Sequence, residues 1–288
     1  MTRTAPAWGG PHREPDPAGG IPAWGAPYPP HPVTRLRPPV RAAAIAACLV
    51  LGFGLLGGAA AGSWLTGGGD ETPAAGEAFH AARDLWHSIP VDQLFPRTVR
   101  GDDAGPGGAD RTWTRIAVAP DATCKRAFDP LLAKALSPVG CKRLLRASYV
   151  DATTSSVTTV GLVITKADAS GMRALRERFA SEKLGERSDL MPCPYAAKGT
   201  AAARFGDAQR ATWVVRVLTD VPAVTFAVTG FADGRKVSDP QPVSEAAAQG
   251  TTSAPGQAGL GYDADGLADR IERDFRTAST AAAAEEPS

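Results

Sequence analysis

The run Arg41–Thr66, RAAAIAACLVLGFGLLGGAAAGSWLT, constrains this chain more than any other feature. From Ala42 to Thr66 no side chain except Cys48 can ionise. A bilayer core needs ~20 apolar residues at ~1.5 Å rise each, and this stretch supplies about 25. A transmembrane helix is therefore predicted over 41–66. Arg35, Arg37 and Arg41 precede it, whereas Asp70, Glu71 and Glu77 follow. The positive-inside rule then puts the N-terminus in the cytoplasm and the C-terminal bulk outside. A cleaved leader has a short basic start and an apolar core of ~7 to 15 residues. Here some forty residues precede a longer core, which favours an anchor over cleavage near Ala59 to Gly62. Ile45-Ala46-Ala47-Cys48 has the form of a lipobox, but most of the apolar run follows Cys48 instead of leading to it. Cys48 reads as a small residue inside the helix.

The first forty residues hold eleven prolines, at 6, 11, 15, 17, 22, 27, 29, 30, 32, 38 and 39, and little aliphatic material. Such a segment cannot bury enough surface to offset its chain entropy, so residues 1–40 are expected to be a disordered cytoplasmic tail with polyproline II character. Within it, PAWGGP at 6–11 recurs as PAWGAP at 22–27. Trp8 and Trp24, each held between prolines, form a duplicated linear motif of the kind that recruits protein partners with avidity.

Residues 67–77 read as a linker, and an α+β domain is expected over 78–237. Ala78, Ala82, Leu85, Trp86 and Ile89 share one helical face, with His80, Asp84 and His87 on the opposite, solvated one. The i, i+4, i+7 spacing of those three suits a metal, yet no fourth ligand is evident and the face points to solvent, so no metal is assigned. Strands are predicted at 112–119, 142–151, 156–165, 211–219 and 223–231. A helical stretch over 121–137 is interrupted at Asp129-Pro130, and a second helix is capped by Asp168. After a linker at 238–261, a terminal helix over 262–278 turns Ala264, Leu267, Ala268, Ile271 and Phe275 inward. Residues 279–288 are expected to be disordered. The order matches an antiparallel sheet with a ferredoxin-like (split βαβ) core and flanking helices.

Three cysteines lie beyond the span, in a compartment where disulfides persist. Cys124–Cys141 is the local pairing and would contribute about 3 kcal/mol in the chain-entropy model. One straight helix between them would hold their Cα atoms ~20 Å apart, against a limit of ~7 Å. A fresh helix started by Asp129 and Pro130 removes that objection. A continuous helix would instead favour Cys124–Cys193. Geometry prefers the first.

No G-x-S-x-G elbow, P-loop, dinucleotide fingerprint or H-E-x-x-H occurs, and Cys193 has no histidine near it in sequence. No catalytic or cofactor-binding residue is assigned. A formal charge of +1 gives no drive toward nucleic acid. The segments LFPRTV, CKRAFDPLLAKAL, GCKRLLRASYVD and TVGLVITKADA, behind one span and a proline-rich tail, resemble uncharacterised single-pass envelope proteins of high-GC actinomycete bacteria. The outer domain is also loosely similar to sensor domains of mycobacterial serine/threonine kinases, although no kinase domain is present. The resemblance implies no particular activity. The sequence thus points to a membrane-anchored, non-enzymatic extracytoplasmic binding or scaffold protein of the cell envelope. The alternatives are a single-pass sensor relaying an outer ligand to a cytoplasmic partner, and an envelope hydrolase.

Overall fold

A computed structural model describes residues 73–285, position 121 excepted. The predicted tail at 1–40, with Trp8 and Trp24, and the predicted span at 41–66 lie outside the described residues. Among those described, no helix is long and apolar enough to cross a membrane.

The fold is α+β, a seven-stranded, mostly antiparallel sheet flanked by helices. Its strands are β1 (Thr98–Gly101), β2 (Arg111–Val118), β3 (Cys141–Asp151), β4 (Ser156–Thr165), β5 (Thr212–Val217), β6 (Ala223–Phe231) and β7 (Gln241–Pro242), in the order β1-β2-β3-β4-β6-β5-β7. The helices are α1 (Pro73–Asp84), α2 (Val91–Leu94), α3 (Pro130–Leu136), α4 (Ala169–Ser181), α5 (Val243–Ala246), α6 (Ala254–Gln257) and α7 (Leu260–Glu285).

Alternation along the strands decides what each face packs against. On one face Ala147, Tyr149, Val160, Leu162, Ile164, Ala223 and Ala227 meet Ala264, Leu267, Ala268, Ile271 and Phe275 of α7. On the other, Leu144, Val163, Val224 and Phe226 meet Leu132 of α3 and Met172 and Leu175 of α4. The central strand β4 is buried along its whole length because helices cover both of its faces.

The expected ferredoxin-like arrangement is corrected by the strand order. There the first two predicted strands would be parallel with a third between them, whereas β2 pairs directly and antiparallel with β3. Past β2 the chain keeps pairing along β3, with Ala119 N donating to Arg146 O and Ala122 exchanging backbone hydrogen bonds with Leu144, so no crossover helix separates the two strands and α3 starts only afterwards. A split βαβ does occur one unit later: β4 and β5 each run antiparallel to β6, which lies between them, so β4-α4-β5 is the crossover. Residues 122–129 are not helical. Ala122 bridges Leu144 and Phe128 bridges Pro192.

Asp129 and Pro130 do start α3, with Pro130 at the first helical position. The disulfide joins Cys124 to Cys141, Cα atoms 6.1 Å apart. The alternative Cys124–Cys193 pairing is not formed. Asp168 caps α4 by accepting from Gly171 N at 2.8 Å. Three boundaries move. Helix α1 begins inside the expected linker, residues 238–261 carry β7, α5 and α6, and α7 runs through 278 to Glu285.

Candidate functional site

Past Asp84 the α1 helix tightens into a 3-10 turn, Leu85–His87, and Pro90 then opens α2. Pro90 cannot donate a backbone hydrogen bond, so the helix restarts there and the segment 85–96 folds over β2 and β3, against Arg115, Val118, Leu145 and Tyr149. Several contacts pin this flap. Leu94 and Phe95 insert into the core. The Arg115 guanidinium donates to Phe95 O and, at 2.7 Å, to Asp92 Oδ1. Tyr149 Oη donates to Pro96 O at 3.0 Å, and burial pushes its phenol well above the ordinary range.

Between flap and sheet lies a cleft of about 340 Å³. Trp86, Ile89, Val91, Leu94 and Phe95 wall it, and Val118, Ala119 and Leu145 line its floor. The lining is apolar except for His87 at the mouth and Arg146, whose guanidinium packs over Tyr195 on the other side of the sheet. Val91 is 52 % exposed; among the described residues only Leu131 joins it as an exposed large hydrophobic. The Arg143 guanidinium lies 4.5 Å over the Trp86 ring, and the His87 ring meets the same indole edge-on at 5.4 Å. Trp86 Nε1 is buried and meets no acceptor among the described residues.

Other positions are less suited to a ligand. A wider hollow beside α7 collects Arg100, Asp102, Asp265, Asp269, Arg270 and Arg273. Its charges are largely spent on neighbours: Arg270 on Asp274 at 2.9 Å, Arg273 on Asp269, and Asp265 on Arg216 at 2.7 Å. The buried acids are similarly committed. Asp263 accepts from Trp113 Nε1 at 2.9 Å and Ser156 Oγ at 2.7 Å, and pairs with Arg111 at 3.2 Å. Burial still pushes its carboxyl above the usual range. Asp151 is also buried, which raises its pKa. Hydrogen bonds from Thr153, Ser155 and Ser156 outweigh burial and hold it at about 2. These two carboxylates fasten the β3–β4 turn and the start of α7.

The sequence-predicted residues scatter. Cys124 and Cys141 form the disulfide, and Cys193 is a half-buried free thiol. Burial, followed by the nearby Asp207, pushes that thiol up to about 11, which leaves little thiolate at neutral pH. The charged groups that act on it include Asp207, Arg210, Asp129 and Arg146. His80, Asp84 and His87 are exposed on α1 and the turn after it, and Asp84 is held by Lys142. The helical periodicity places Trp86 and Ile89 on one face with Ala78, Ala82 and Leu85 but does not reveal the cleft. The available signal was the apolar-rich run LWHSIPVDQLF after the helix, which is too broken by Pro90 to belong to one amphipathic element. Compared with family models, curated proteins and solved structures, the chain matches none.

Proposed function

We propose that this chain is a membrane-anchored, non-enzymatic binding protein of the cell envelope, with its folded domain outside and a proline-rich tail that recruits proteins inside. The observation that carries the binding role is the apolar cleft under residues 85–96, with Val91 exposed on its wall. A concave, mostly apolar site of a few hundred Å³ with a few polar groups is the usual form of a ligand pocket. The length and flanks of 41–66 support the anchor, and the Cys124–Cys141 disulfide suits an oxidising exterior. The commitment of Asp151 and Asp263 to structural hydrogen bonds supports a binding role over catalysis.

Crosslinking in intact cells followed by purification of the full chain tests the reading. An envelope component recovered with wild type and lost with Val91→Asp is the expected result. Val91 is exposed, so the substitution leaves the core intact. Identical recovery from both proteins would remove the cleft from the binding role.

A further inference from the structure

We infer that the cleft takes one uncharged hydrocarbon chain, short enough to lie wholly inside, with any polar head left in water at the mouth. This rests on the cleft being the binding site proposed above, and it adds the class and the size of what enters.

The class follows first from surface that the fold leaves uncovered. Trp86, Ile89, Val118 and Leu145 pack against the core yet stay partly exposed, and all four border the cleft together with the exposed Val91. Leu94 and Phe95 are buried and close it inward. Removing such surface from water is favourable in proportion to its area, which selects an apolar occupant.

Charge points the same way. Around the cleft, Asp84 pairs with Lys142, and Asp92 pairs with both Arg115 and Arg97. Arg143 is likewise engaged, and the Arg146 guanidinium lies over Tyr195 across the sheet. Of the lining residues only His87 and Arg146 can carry charge, and His87 is exposed at the mouth. A charged group drawn inside would lose its water without meeting a counter-ion, whereas a head group at the mouth stays hydrated. The size follows from the volume. An apolar cavity of ~150 Å³ holds benzene, so about 340 Å³ has room for roughly a dozen carbon atoms. Carbons beyond that number would remain in water and add nothing.

The test uses the full chain in phosphatidylcholine nanodiscs and a diazirine-bearing decanol as photoreactive probe. After irradiation, labelled peptides are mapped, and straight-chain alcohols from butanol to hexadecanol compete at known free aqueous concentration. Label is expected on the cleft residues 86–95, 118–119 and 145. Competition there should strengthen about fourfold with each added methylene and then level off near dodecanol. Val118→Phe fills part of the floor and should move that plateau to a shorter chain while keeping the slope below it. Dodecanoate and dodecylammonium should compete no better than dodecanol, because their heads stay in water. Either of them competing tenfold better would overturn the uncharged class. A slope that continues to hexadecanol would mean that the chain runs along an open surface, and would overturn the size. Competition independent of chain length would overturn the hydrocarbon class and leave the cleft as a binding site. Absence of label from all of the cleft residues would overturn both this inference and the binding role of the cleft.

Discussion

Gly161 sits at the middle of β4, directly opposite Phe226 on β6, and the Phe226 ring lies over it. A methyl group added at Gly161 would stand 2.6 Å from Cε1 and 3.0 Å from Cε2 of that ring, and closer still to Cζ. Carbon atoms in contact prefer ~3.5 to 4.0 Å, so something must move by about an ångström. The ring has little room to retreat, because Phe226 is fully buried and Phe128 meets it edge-on at 5.3 Å. Over-packing of this kind costs ~1 to 3 kcal/mol and occasionally more, and the enclosed ring places Gly161→Ala near 3 kcal/mol. For a domain of this size that corresponds to a melting midpoint lowered by roughly 6 to 12 °C. Urea and thermal unfolding of residues 70–288, which form one compact unit, read the effect through the buried Trp113 and Trp213. Phe226→Leu in the same background should recover part of the loss, because the new methyl occupies space the ring has left. The two single costs should then sum to more than the double. A Gly161→Ala protein within 0.5 kcal/mol of wild type, or strict additivity in the double, would refute the packing argument.

The stability of the domain should fall as the solution is acidified from about pH 4 toward pH 2. Asp151 is held at about 2 when folded and titrates near 3.9 when unfolded, so its contribution is complete above the higher value and lost through the lower. We expect ~1 to 2 kcal/mol over that window after discounting for solvent screening, and Asp151→Asn should flatten this part of the stability curve. Arg210 is 9 % exposed and donates at 2.9 Å to Asp129, whose other oxygen accepts from Met191 N. Arg210→Met leaves that carboxylate uncompensated and should cost ~2 to 4 kcal/mol in chemical denaturation, while Arg210→Met with Asp129→Asn should cost less. Cys193 should react slowly with Ellman's reagent at pH 7.4 and progressively faster up to pH 10, following a thiol pushed up to about 11.

Most of the local structure was legible because it depends on neighbours in sequence. Leu145, Ala147 and Tyr149 alternate onto one face as read, Asp168 caps its helix, and Pro130 starts a fresh helix that lets Cys124 reach Cys141. Strand order was not legible. Alternation tells which side chains share a face, while β2 beside β3 and β6 between β4 and β5 are pairings between stretches far apart in sequence, which alternation does not encode. The four-residue β1 and two-residue β7 are too short to show a period. The cleft is less legible still. Its walls come from three separated stretches, 86–95, 118–119 and Leu145, and concavity arises only when the flap settles over the sheet.

The outward-facing domain is the claim on which the rest depends, and its redox state in the cell tests it most directly. Intact cells are quenched in acid, free thiols are alkylated before reduction, and the cysteine peptides are mapped by mass spectrometry. The account predicts Cys124 and Cys141 bonded to each other and Cys193 alkylated as a free thiol. All three recovered as free thiols would place the domain in a reducing compartment and contradict the account.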